Sequence, residues 1–155
     1  DTLIGPIEIP QRLNSNLYLN LLQENLPQIL DDLPLNLRRN MFFQHDGAPA
    51  HSGRNVLNFL NENFAGRWIG RHGPVAWPPR SPDLTPLDFF FWGYLNQKVY
   101  ATEVDTREEL LQRINDAANE IRQNRFSILI ASRSVTRRAR LCIREGGGFF
   151  EQFLK

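Results

Sequence analysis

Two segments of this chain place a carboxylate where a metal ion could be met. The first is Phe43-Gln44-His45-Asp46-Gly47-Ala48-Pro49-Ala50-His51. Met41 to His45 is a short apolar run that reads as a buried strand, and Asp46-Gly47 ends it with turn chemistry. α/β folds set ligands at such strand ends. Gly47, Ala48 and Ala50 are small enough to leave room, and Pro49 stiffens the exit. The second segment is Ser81-Pro82-Asp83-Leu84-Thr85-Pro86-Leu87-Asp88. Thr85 is a helix cap, Pro86 suits the first helical position, and Asp88 falls in the first turn, where the helix dipole favours a negative charge. Phosphodiester cleavage commonly uses two divalent ions about 3.5–4 Å apart. Mg²⁺ demands hard oxygen ligands, so such a site draws carboxylates from separate elements onto one point. Asp46 and Asp88 could converge in this way. Each also has a plainer reading: Asp-Gly is an ordinary turn signal, Asp88 can be a cap, and Asp83 can brace the proline-rich turn.

Other side chains carry weaker signals. His45 and His51 flank Asp46, but no further His-rich or Cys-rich segment completes a zinc or iron shell, and His72 stands apart in Arg-His-Gly. His51 reads as a cap or orienting group for the next helix. Cys142 is the single cysteine, so no internal disulfide forms. Its helical, half-apolar setting suits a buried structural thiol. Trp68, Trp77 and Trp92 could stack on bases, yet Trp77 and Trp92 lie in apolar runs that point to the core. Arg80 neighbours the second acidic segment and is a candidate phosphate contact, with Arg54 and Arg71 weaker ones. Arg133, Arg137, Arg138, Arg140 and Arg144 crowd one later segment, whereas acids dominate from Glu103 to Glu120. Arginine suits bidentate phosphate contact; a solvated helix face is the plainer alternative.

The elements that would position these groups follow from punctuation and periodicity. The chain has 155 residues, an apolar content of 41% and a net charge of +1. These values suit one domain or part of one and exclude a polycation. No apolar run is long enough to span a membrane, and the first residues lack a signal peptide's basic flank and apolar stretch. Leu3 to Ile9 reads as a strand. Ser15 to Leu30 reads as a helix capped by Asn14 or Ser15 and kinked or restarted at Pro27. Pro34 opens a short helix to Arg39, and His51 to Phe64 forms another that Gly66 stops. Val75 to Trp77 is a third strand, followed by the stiff Pro78-Pro79-Arg80-Ser81-Pro82 loop. Helices follow over Thr85–Val99, from an Asp105-Thr106 cap to Asn124, and over Phe126–Arg144. The last is stopped by Gly146-Gly147-Gly148, and Phe149 to Leu154 packs back. Strand, helix, strand, helix, strand and then helices is an α/β order. The sheet is thin, which suggests missing partner strands.

The chain resembles the mariner-superfamily DNA transposases over essentially its whole length. The motifs are His45 to His51 (HDGAPAH), RWIGR, GPVAWPPRSPDLTPLDFFFWGYL and the tail RLCIREGGGFFEQFL, with LIGP, RLN and LPLNLRR before them. The resemblance implies a partial RNase H-like fold, a three-layer α/β/α arrangement whose leading strands are missing. It implies a catalytic core over residues 1–100 and a helical extension over 101–155. It matches Asp46 and Asp88 to the second and third catalytic carboxylates, and Asp83 to a position that is not a ligand. It implies Mg²⁺ or Mn²⁺ as cofactor, transposon-end and target duplex DNA as partners, a homodimer, and a nuclear location. No membrane or small-molecule substrate is implied. The first catalytic aspartate of the family lies upstream of LIGP, and Asp1, Asp31 and Asp32 do not match it. The expectation is therefore a fragment of a cut-and-paste transposase, inactive alone. The alternatives are a non-catalytic DNA-binding or protein-interaction remnant and a decayed gene product.

Overall fold

The computed structural model describes residues 2–77 and 81–154. It comprises two compact units, Glu8–Arg80 and Asp1–Ile7 with Ser81–Lys155.

In the unit Glu8–Arg80, helix α1 spans Ser15–Asp31. It begins where the Asn14 side chain accepts the N–H groups of Asn16 and Leu17, both at 3.0 Å, so two otherwise unpaired donors are satisfied. Pro27 lies inside the helix, which runs on past it to Asp31. Tyr18 and Leu22 are buried, with Leu26 and Leu30 packed beside them; this four-residue spacing lines one helical face. Helix α2 spans Leu35–Asn40 after Pro34, and helix α3 spans Arg54–Asn63 and buries Val56 and Leu60. Strands β1 (Phe43–Gln44), β2 (Trp68–Gly70) and β3 (Val75–Ala76) form one parallel sheet in that order. Phe43 pairs with Trp68, and Ile69 with Val75. Only β1 and β3 were expected from the sequence.

The expected strand at Leu3–Ile9 does not form. Pro6 has no N–H to give a ladder, Gly5 turns into the left-handed region at φ +86, and the carbonyls of Leu3 and Gly5 accept from the Arg122 guanidinium instead.

Trp68 is fully buried, and its indole N–H donates to Asn61 Oδ1 at 2.9 Å. The sheet closes tightly around it. A Cβ on Gly70 would stand 2.7 Å from the His45 ring, and one on Gly73 would stand 2.9 Å from Trp68. Glycine suits Gly70 because the buried His45 and Trp68 rings fill the space that a Cβ would need.

In the other unit, a single 3₁₀ turn over Pro82–Leu84 precedes a wide helical turn over Leu87–Phe91. The Trp92 N–H there bonds the Leu87 carbonyl, and helix α4 continues over Trp92–Val99. Helix α5 spans Arg107–Gln123. The Glu109 N–H donates to Thr106 Oγ1, while the Glu109 carboxylate accepts from the Asp105 N–H, a reciprocal start of the capping-box kind. Helix α6 spans Arg125–Arg144 and is capped by Asn124, whose Oδ1 accepts from Ser127 at 3.2 Å. Phe91, Leu95 and Val99 pack on Ala117 and Ile121 to make the core. The tail folds back with Phe150 fully buried. Trp92 departs from the expected core position and is 48% exposed, because Phe91, one residue earlier, takes the inward face. Cys142 is only half-buried. No helix of the described residues is long and apolar enough to cross a membrane.

Candidate functional site

His45, which directly follows β1, bonds through its N–H to the Ile69 carbonyl at 3.1 Å, and Asp46 comes next. The strand therefore delivers the carboxylate at its C-terminal end, and the Asp46 side chain is 70% exposed. Oδ1 accepts the Ala48 N–H at 3.0 Å, which closes an Asx turn. It also lies 2.7 Å from His51 Nδ1, and that nitrogen is 3.3 Å from the Asp46 carbonyl. Both oxygens are acceptors, so Nδ1 carries the ring proton and donates. His51 sits in the 3₁₀ turn Pro49–Ser52, which Pro49 opens. The orienting role expected for His51 is thus directed back at Asp46.

Sequence reasoning did not single out Tyr18, yet it completes this cluster. Its ring centroid lies 4.1 Å from that of His51, and its hydroxyl is 3.4 Å from His45 Nδ1. The His45 and His51 rings stack at 5.0 Å, and His45 meets the edge of Trp68 at 5.5 Å. The available signal was the spacing of Tyr18, Leu22, Leu26 and Leu30, which sets the phenol on the buried face of α1.

Burial of the Tyr18 hydroxyl, with the Asp46 charge added, raises its pKa and keeps it protonated. Burial also drives the His45 imidazole down to about 4, with His51 lowering it further and Asp46 opposing. The unfolded chain therefore binds the proton first as pH falls below the ordinary histidine value near 6.5. Stability contributed by neutral His45 is present above that pH and is lost as pH falls from about 6.5 to about 4. The expected loss is about 3 kcal/mol. It is read from urea unfolding at each pH in metal-free buffer. A His45→Gln variant that keeps the full slope would contradict this cause.

Asp88 belongs to the other unit. Its backbone N–H bonds the Thr85 carbonyl at 2.9 Å, as does that of Phe89 at 3.1 Å. Pro86 precedes the wide turn, and Asp88 is an exposed carboxylate in its first turn. Asp83 lies half-buried in the 3₁₀ turn, and its carbonyl accepts from Arg138 at 2.9 Å. No group of three or more His, Cys, Asp or Glu side chains able to hold a metal occurs among the described residues. Asp46 and Asp88 each offer exposed hard oxygen, which fits Mg²⁺ or Mn²⁺ in kind.

The arginine candidates separate. Arg80 lies outside the described residues, as do Pro78 and Pro79. Arg54 is exposed at the start of α3 and Arg71 is exposed just after β2. Arg133, Arg137 and Arg140 are exposed on α6. Arg138 is turned inward: its side chain is 12% exposed, donates to Glu151 at 3.0 Å, and covers the Phe89 ring at 3.8 Å.

No protein-family model matches the chain. It is 32% identical over 126 residues to the Tc3 transposase of a transposable element of Caenorhabditis elegans. That alignment covers 80% of this chain and 35% of the relative, so the chain spans about a third of that protein's length. Among solved structures it is similar to the Mos1 transposase catalytic domain with Raltegravir and Mn, at a TM-score of 0.70 and 20% identity. The structure of the same domain with Mg gives 0.69 and 20%. Each match covers 90% of this chain and 66% of the other. The fold is that of a partial RNase H-like α/β domain with a small parallel sheet and a helical C-terminal region.

Proposed function

We propose, from the premise that this chain belongs to the mariner-like transposases and forms part of their catalytic domain, that Asp46 and Asp88 are two ligands of one divalent-metal centre for DNA strand cleavage and transfer. The observation that carries this reading is the setting of Asp46. An exposed carboxylate at the end of a parallel strand is held by a backbone N–H and by a histidine that itself rests on a buried tyrosine. A purely structural turn needs the Ala48 N–H and has no use for the His51 brace. Metal ligands characteristically have such outer partners.

Mg²⁺ or Mn²⁺, when bound, supplies Lewis acidity to the attacking and leaving oxygens. Asp46 and Asp88 bind and fix its position. His51 holds one Asp46 oxygen so that the carboxylate keeps a single orientation. Water would attack the phosphodiester in line and displace its 3′-oxygen, and the freed 3′-hydroxyl would then attack a target phosphodiester and displace that strand's 3′-oxygen. Asp31, the last residue of α1, is engaged by Arg38 at 2.9 Å. No aspartate of these 155 residues matches the first family carboxylate, so this chain alone holds metal weakly and does not cut. The same reading puts the protein in the nucleus, on transposon ends and target DNA, with a homodimer as the working form.

The test is incubation of the 155-residue chain with supercoiled plasmid and Mn²⁺. No nicking above the metal-only control is expected. Nicking that disappears in both Asp46→Ala and Asp88→Ala variants would overturn the inactivity and keep the site. Nicking that persists in both would overturn the site.

A further inference from the structure

His51 meets the largely exposed Asp46 carboxylate through one ring nitrogen, with Nδ1 2.7 Å from Oδ1. A pair with one partner in water holds little by itself, because the imidazole can turn and trade the carboxylate for solvent. The two faces of the His51 ring decide otherwise. The Tyr18 ring lies 4.1 Å away, centroid to centroid, tilted by 35°. The His45 ring stacks at 5.0 Å and 7°. Tyr18 is itself buried, in the core that also holds Leu22, Val56 and Leu60, so its ring has a fixed place from which to press. We propose that Tyr18 is a positioning residue of the metal centre. Its ring holds the His51 imidazole in the plane and tautomer that grip Asp46, so the first turn of α1 sets how firmly the carboxylate is presented. This deepens the metal-centre reading and rests on it.

Two further observations support the role. The Tyr18 hydroxyl makes only a long contact, 3.4 Å to His45 Nδ1, so the ring is the part that bears on His51. The turn that carries His51 is also seated on α1 at a second point. Gly53 follows the 3₁₀ turn Pro49–Ser52, and a Cβ there would stand 2.4 Å from Ser15 Cβ, on the first residue of α1. Gly53 has an ordinary φ of −66, so what it supplies is space and not conformational freedom. Ser15 and Tyr18 are three residues apart and share one face of the helix. Gly53 on Ser15 and His51 on Tyr18 therefore fix the turn against α1 at two places. Groups that orient a metal ligand without touching the metal control its affinity, and Tyr18 stands one step behind such a group.

The test uses the 155-residue chain, first without metal. At a pH above the histidine range, long-range ¹H–¹⁵N correlation spectra show which nitrogen of His51 carries the proton. Nδ1–H is expected in wild type and in Tyr18→Phe, which keeps the ring. Tyr18→Leu is expected to lose it to the Nε2–H form that a free imidazole side chain favours. Mn²⁺ titration followed by electron paramagnetic resonance should then show a loss of about 10-fold in Tyr18→Leu. With His51→Ala already in place, Tyr18→Leu should cost nothing more; a ring that only fills the core costs the same in both backgrounds. Gly53→Ala is the independent arm, for the case that Tyr18→Leu does not fold. It is expected to lose the same His51 signature, and Ser15→Gly, which leaves only a Cα 3.8 Å from the new Cβ, is expected to restore it. Retention of Nδ1–H in folded Tyr18→Leu, or in Gly53→Ala where that variant does not fold, would overturn the role of Tyr18, as would equal Mn²⁺ losses in the two His51 backgrounds. Unchanged Mn²⁺ affinity in Asp46→Asn, with the His51 signatures as expected, would instead overturn the metal-centre reading and leave Tyr18 a brace of His51 alone.

Discussion

Trp68→Ala is expected to destabilise the unit Glu8–Arg80 by about 3–5 kcal/mol, the cost of emptying a buried aromatic site. Trp68 is the largest fully buried side chain among the described residues and has no exposed surface. Its position on β2 puts it between the sheet and α3, where its indole N–H holds Asn61. Gly70 and Gly73 are packed against the space it fills and the ring beside it. Domains of this size are stable by about 5–15 kcal/mol in total, so the loss is a large share. Urea unfolding followed by far-ultraviolet circular dichroism measures it. A change below about 1 kcal/mol, as at ordinary surface positions, would mean that the sheet is not closed around Trp68. The loss would reach Asp46 as well, since Phe43 pairs with Trp68 and His45 rests on its ring.

Asp46→Asn is expected to weaken Mn²⁺ binding more than any other single change in that unit. The amide keeps the shape and an oxygen for the Ala48 N–H, but it loses the charge that a hard cation requires. His51→Ala removes only the group that orients the ligand, and loss of such outer partners costs about 10–100-fold in affinity. The expected ranking is therefore a loss beyond 100-fold for Asp46→Asn, a smaller one for His51→Ala, and partial rescue by His51→Asn, whose amide N–H can donate to Oδ1. Electron paramagnetic resonance of free Mn²⁺ reads all three. Identical affinities in wild type and Asp46→Asn would remove Asp46 from the metal centre.

Much of this protein was legible from local chemistry. Asn14 and Thr106 each precede a periodic apolar segment, and each caps the helix expected there; Asn124, expected only as the end of one helix, also caps the next. Gly146 and Gly147, with positive φ, end α6 where the glycine run stands. Pro82 and Pro86 mark the turns around Asp83 and Asp88. The strands were harder, for a physical reason. A strand of two or three residues has no room for an alternating pattern, so Trp68-Ile69-Gly70 carries no period to detect. Its identity comes from pairing with distant residues. Leu3 to Ile9 had the composition of a strand, but Pro6 and the pull of Arg122 on two carbonyls decide its conformation.

The site divides in the same way. Asp46 was visible because a strand end, a turn and small residues are local signals. Tyr18 was not, because its role depends on where α1 lies against the strand end, some distance along the chain. The inward turn of Arg138 was equally hidden. The sequence shows five arginines in one segment, and only the packing of the tail through Glu151 and of Phe89 tells Arg138 from the others.

The claim on which the whole account rests is that Asp46 and Asp88 serve one centre. Mn²⁺ titration of wild type, Asp46→Asn, Asp88→Asn and the double variant, followed by electron paramagnetic resonance, addresses it directly. Ligands of a shared centre are coupled, so each single replacement should cost nearly as much affinity as both together. Single losses that simply add, or an Asp88→Asn variant that binds Mn²⁺ like wild type, would show two unrelated acids and contradict the account.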